Sequence, residues 1–395
     1  MKTVKLILAV AVLFLTACNG EIKIGIENTS TPIATLIPTN TDTPLPTNTP
    51  FPTFTPAAAT ATEALAPSDT PLPPATLAPN PTTAPATTNT SAPIPNPPNY
   101  IDDRSTPSQI IVSLYNAINR QEYARAYDYW INPSTSLGNF STYANGYHDT
   151  ASVDLAFGQI TGDAGAGQMY FTVPVVLKTT SHSGVRANFA ACYVVHESQP
   201  ANFGAPPFEP MGIDRGQASP SSLSASNASA LANACNGFPT GGSPVSATGT
   251  NLNIDKSNYL DNRTGPVETV SSFLNALNLK QYVRAYYYFQ TPATFPGPYD
   301  PWSAGYAATD TLTVTFGTVQ SEGAAGSTYY KVPLATHVVT SSNTTQNFVG
   351  CYTLRLAQPA NQTVPPFQPL GIVSGKFSQV ANSTNANSLL PTACN

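Results

Sequence analysis

Charge is scarce in this chain. Lys and Arg number 16 and Asp and Glu 21, together 9% of the residues. The net charge of -5 leaves no basic patch to neutralise phosphates, which excludes nucleic acid as a partner. Histidine is scarcer still, four in all, and no His-Glu-x-x-His motif, Ser-His-Asp arrangement or Walker loop is written anywhere. No cofactor is implied. The five cysteines never take CxxC spacing, which removes the usual signature of structural zinc or a dithiol redox centre. No apolar run reaches the ~20 residues of an ordinary membrane-spanning helix.

What is present begins with an export signal. Lys2 and Lys5 form a positive n-region and Leu6 to Leu15 a short apolar h-region. The run ends in Leu15-Thr16-Ala17-Cys18, which resembles the lipobox of bacterial lipoproteins. That resemblance implies cleavage after residue 17 and a diacylglyceryl thioether on Cys18, anchoring the chain to the bacterial cell membrane. From about Asn28 to Pro98 the chain is Pro, Thr and Ala with almost no charge and no apolar periodicity. Such a segment buries too little to offset its ordering entropy, so 18–99 reads as a disordered, extended stalk.

The rest is written twice. Residues 100–236 return as 259–395 at a constant offset of 159, without a gap, and roughly a third of paired positions are identical. Tyr123, Arg125, Ala126, Tyr127 and Tyr129 return as Tyr282, Arg284, Ala285, Tyr286 and Tyr288. Pro206-Pro207-Phe208 returns as Pro365-Pro366-Phe367. The period is that of a whole domain, duplicated in tandem. The spacer 237–258 between the copies reads as polar coil.

Within one repeat, Pro107 after Ser105-Thr106 predicts a helix start. Ile110, Leu114 and Ile118, flanked by Ile111 and Tyr115, form one apolar helical face. The pattern breaks at Asn119-Arg120-Gln121 and resumes at Tyr123, Ala126, Tyr127 and Trp130 as a second short helix. A loop with Pro133 and Gly138 follows, then a helical piece ending near Gly146. After Thr150 the period becomes two: Val153, Leu155 and Phe157 mark a half-buried strand. Gly158 to Gly167 reads as a glycine-rich connection. Strands are expected at 170–179, 188–196 and 208–216, with an edge or bulge at Pro174 and Pro333.

Helices followed by strands predict an α+β domain with helices on one face of an antiparallel sheet. The stretches TPSQIIVSLYNAINRQEYARAYDYW and GPVETVSSFLNALNLKQYVRAYYYF resemble the first two helices of the NTF2-like superfamily, which includes SnoaL-like proteins and ketosteroid isomerases. That resemblance implies two tandem cone-shaped domains, each with a curved sheet around an apolar cavity. It also implies that the repeats can dock as an internal pseudo-dimer, since that family often pairs through its sheets.

Each repeat carries two cysteines at the same separation, so the duplication selects disulfides Cys192–Cys235 and Cys351–Cys394. The histidines His148, His182, His196 and His337 face Ala307, Ser341, Arg355 and Lys178 in the other repeat, so no shared histidine base or metal site exists. Asp154, inside a strand pattern and a candidate general base, or His148 would carry an isomerase- or hydrolase-type site confined to the first repeat. A solvent-facing Asp154 is the plainer expectation. Asp102 and Asp261 are expected as caps or partners of Arg104 and Arg263. Asp163 and Glu322 fall in a hairpin. Arg125 and Arg284 are expected to span helix and sheet. The functional expectation is a non-enzymatic envelope lipoprotein with a binding or scaffolding role, its partner an envelope protein or a small apolar or aromatic ligand.

Overall fold

Thr106 opens the first helix: its hydroxyl accepts the Gln109 N–H, and Pro107 occupies the first turn, where no N–H is needed. Helix α1 then runs Pro107–Asn119 and buries Ile110, Ile111, Leu114 and Ile118. Gln121, at φ 57°, reverses the chain into α2, Tyr123–Tyr127. The computed structural model describes residues 97–238, 242–245 and 252–395. Over these the protein is a mixed α+β structure with two antiparallel sheets, one per repeat.

The stretch read as a loop at Pro133 contains one helical turn, α3, Pro133–Ser136, and α4 follows at Phe140–Gly146. The first sheet holds β1 (Thr150–Phe157), β2 (Ile160–Gly165), β3 (Gln168–Ser181), β4 (Arg186–Ser198) and β5 (Gly212–Ser221). Its order is β5-β4-β3-β2, and β1 pairs with the other half of β3. A matched amide locks helix to sheet. Asn119, at the end of α1, donates to Val153 O and accepts from Val153 N–H, at 3.0 and 2.8 Å. Asn278 does the same for Leu312 in the second repeat.

The second repeat follows the same plan. Its helices are α6 (Pro266–Asn278), α7 (Tyr282–Tyr286) and α8 (Tyr299–Ala304); α5 is the short Asn227–Leu231 helix of the first repeat's tail. Strands β7 (Thr309–Phe316), β8 (Gln320–Ala324), β9 (Ser327–Thr340), β10 (Thr345–Ala357) and β11 (Gly371–Val380) form the second sheet. Each repeat has its own apolar core under its helices.

Three expectations need correction. The glycine-rich connection contains strand β2; only Ala166-Gly167 turns, both at positive φ. Ile160-Thr-Gly-Asp-Ala-Gly has too few apolar side chains to show a period of two, so pairing with β3, not burial, makes it a strand. Pro174 and Pro333 lie at neither an edge nor a bulge. Both pair in register with the disulfide cysteines, Cys192 and Cys351, on interior strands. Pro174 O accepts from Gly158 N–H at 2.8 Å, on the side where β1 ends and β2 begins, so the missing proline N–H faces a break in the neighbouring strand. The fourth strand starts at Gly212, not at Phe208, because the Pro-Pro-Phe segment is committed elsewhere.

The spacer is not plain coil at either end. Ser243–Val245, β6, adds to β2, and Gly162 admits it: a Cβ there would lie 3.0 Å from both Phe171 and Val245. Ile254 is buried in the second core, and its carbonyl accepts from Asn278.

Disulfides Cys192–Cys235 and Cys351–Cys394 each join cysteines 43 positions apart. They fasten the tail of each repeat over the proline gap: the space above Gly158 is closed by Leu231 and Pro174, and that above Gly317 by Leu390 and Pro333. Replacing either pair with alanine is expected to cost about 2–4 kcal/mol in denaturant unfolding. Hydrogen exchange should quicken first at Gly158 or Gly317 of the altered repeat. Unchanged protection there would mean that the tail does not cover the gap.

Candidate functional site

The two places where side chains converge are the aromatic interior of each repeat and the contact between the repeats. In the first interior, ring centroids lie 5.2 Å apart for Tyr143–Tyr147, 5.3 Å for Tyr127–Tyr143, 6.0 Å for Trp130–Tyr193 and 6.4 Å for Tyr115–Tyr193. All are edge-to-face, the arrangement the ring quadrupoles favour. The Tyr115 and Tyr193 hydroxyls share a 2.5 Å hydrogen bond. Burial pushes the Tyr115, Tyr143 and Tyr147 hydroxyls well up, and Tyr193 up to about 12, so all four stay neutral at physiological pH. In the second interior Leu274 replaces Tyr115, Phe289 replaces Trp130 and Trp302 replaces Tyr143, while Tyr286, Tyr306 and Tyr352 are kept and Tyr299 replaces Phe140.

The acid–base candidates do not enter these interiors. Asp154 is exposed and pairs across the ladder with Lys178. His148 and Asp149 are exposed just before β1. His196 is hydrogen-bonded to Gln168 and lies against the Tyr170 ring. His182 approaches Gln121, and His337 bonds Asn347. Asp163 is exposed on the outer half of β2, and Glu322 is exposed on β8. Among the described residues no group of three His, Cys, Asp or Glu could hold a metal. Cys18 lies outside the described residues.

The arginines kept in both repeats are buried, and they hold helices and the leading segment, not helix and sheet. Arg125 donates to Ile101 O, Asn116 Oδ1, Tyr129 Oη and Glu122, and lies 4.5 Å from the Tyr100 ring centre. Arg284 repeats this with Leu260 O, Asn275, Tyr288 and the Tyr259 ring, but Gln281 stands where the first repeat has Glu122. Asp102 caps no helix. It accepts from the Tyr129 and Tyr100 hydroxyls, while Arg104 donates to Met211 O and Asp128 O. The turn before α1 falls instead to Asp103, whose Oδ1 accepts the Ser105 N–H. In the second repeat Asp261 keeps a 4.0 Å ion pair with Arg263.

The leading segments so held meet each other. Arg104 N–H donates to Asp261 O at 2.7 Å and Arg263 N–H to Asp102 O at 2.6 Å, around an antiparallel bridge between Asp103 and Asn262. Asp102 N–H donates to Thr264 Oγ1, and Asp261 N–H to Ser105 Oγ. Exchanging the repeats maps this set onto itself, as in an isologous contact. The repeated Pro-Pro-Phe segments complete it. Phe208 packs on Tyr287, centroids 5.6 Å apart, and Phe367 N–H donates to Asp128, the counterpart of Tyr287. The sequence signal for this was there, an identical tripeptide in both repeats, but nothing in it names the target.

Glu197 of the first repeat is half-buried near this seam, where the second repeat has the buried Leu356. Burial pushes its carboxyl up to about 7; Arg284 of the other repeat opposes the shift and Asp261 adds to it. A carboxyl raised in the folded state stabilises below its unfolded value and loses that contribution as pH climbs through the folded one. Stability should therefore decline from about pH 4.5 to 7 on this account. Glu197→Gln should flatten that part of the melting-temperature profile. An identical pH slope in wild type and variant would remove Glu197 as its source.

Comparison of the chain with protein-family models, with curated proteins and with solved structures gives no match, so its functional reading rests on the residues described above.

Proposed function

We propose that this protein is a non-enzymatic lipoprotein of the bacterial cell envelope, with a binding or scaffolding role. In this reading two NTF2-like repeats dock as an internal pseudo-dimer on the stalk 18–99, held to the membrane by acylated Cys18. The observation that supports it is the edge-to-face packing of aromatic rings in the interior of both repeats. A guest would have to displace interlocked rings, each of which buries about 150–250 Å². Recognition is thereby directed to the outside of the molecule. Two disulfides suit an oxidising, extracytoplasmic compartment, and among the described residues no helix is long and apolar enough to cross a membrane.

A second reading, capture of a small aromatic ligand inside the first repeat, is favoured by the buried Tyr115–Tyr193 hydroxyl pair, which has no equivalent in the second. An isomerase- or hydrolase-type site at Asp154 or His148 has less support, since both side chains are exposed on the outside of the fold.

The anchor is tested by labelling bacteria that express the full chain with an alkyne analogue of palmitate. Wild type should carry label and sediment with membranes. Cys18→Ala should lose the label and leave the membrane fraction. An unlabelled wild type, or a variant labelled equally, would refute the anchor.

A further inference from the structure

The outer face of the second sheet carries a cleft of about 260 Å³, bounded on one side by the disulfide-fastened tail. Its floor is β7, β9 and β10, through Thr313, Thr315, Thr336, His337 and Asn347. Its wall is the tail around Asn385. The wall is fixed in three ways. Asn382 donates to Thr345 O and Oγ1, both at 3.1 Å; Leu390 is buried against Ala335 and Val349; and Cys351–Cys394 pins the end. The cleft is thus built before any ligand arrives, which lowers the ordering cost of binding.

Every polar side chain that lines it is a threonine, an asparagine or His337. Each threonine hydroxyl can donate and accept. His337 Nδ1 and Asn347 Oδ1 lie 2.8 Å apart, so ring and amide are paired with each other on the cleft floor. Each side chain has a second nitrogen, the ring Nε2 and the amide Nδ2, outside that pair. Uncharged groups that can both donate and accept suit a ligand rich in hydroxyls. An anion would meet no lysine or arginine among these lining groups.

We propose that this cleft binds a neutral carbohydrate, one or two rings at a time. The volume falls just below the ~300 Å³ at which small-molecule pockets usually begin. The proposal deepens the binding reading above by naming a ligand class, and it is independent of the anchor at Cys18.

The first repeat provides an internal control. At the counterparts of Thr313 and His337 it carries Asp154 and Lys178, facing each other across the ladder as Thr313 and His337 do. The double variant Thr313→Asp/His337→Lys therefore writes into the second repeat a pair that the same fold already accepts. The test is ligand-observed saturation-transfer NMR on the full chain, with chitotriose and maltotriose as neutral probes and trigalacturonate as an anionic one. We expect transfer to at least one neutral probe, about tenfold weaker binding or more in the double variant, and the same direction of change in Asn347→Ala. Absence of transfer to both neutral probes, preference for the anionic one, or equal transfer in wild type and double variant would overturn the proposal. Acylation of Cys18 can fail while sugar binding holds, and the reverse, so the two readings fall separately.

Discussion

A guanidinium withdrawn from water must have its protons matched, and an unmatched buried charge costs about 3–5 kcal/mol. Arg125 and Arg284 place that demand at the centre of each repeat, at 1% and 0% exposure. Each satisfies it partly with a backbone carbonyl of its leading segment, Ile101 or Leu260. The segment is thereby set in one position, with the following residues free to pair across to the other repeat. Helix placement, the path of the leading segment and the contact between repeats follow from one buried ion.

The two copies meet that demand with different charges. In the first, Glu122 lies three residues before the arginine and pairs with it. In the second the same position is Gln281, a neutral amide whose oxygen accepts from Arg284 Nε. Neither repeat is a faithful copy of the other's electrostatics. The same divergence is seen in the interiors, where the bonded Tyr115–Tyr193 pair of the first repeat becomes Leu274 and Tyr352 in the second, and on the outer sheet faces, where Asp154 and Lys178 become Thr313 and His337.

Much of this was legible in the sequence, and the rest was hidden for physical reasons. The stripe Ile110, Leu114, Ile118 sets α1 because burial of one face has a helical period. The duplication chose the disulfide pairs. Strand β2 escaped because Thr161-Gly162-Asp163-Ala164-Gly165 buries little and is held by backbone pairing. Pro174 misled because the proline rule concerns which side of a strand lacks a donor, and a sequence does not say which side has a gap. Glu197 and Phe208 escaped because their partners lie in the other repeat, and long-range pairing leaves no local periodicity.

The fastening of the leading segment to α1 has a mechanical meaning. Asn99 O accepts from Asn116, Pro98 O accepts from Arg120, and Ile101 N–H donates to Asn116, so the first residues are tied to α1 within a few positions of the seam. A pull on residue 97 loads these bonds first, and next the paired segments of both repeats. Neither sheet edge is peeled strand by strand, because the load enters at the join and is divided between the two halves.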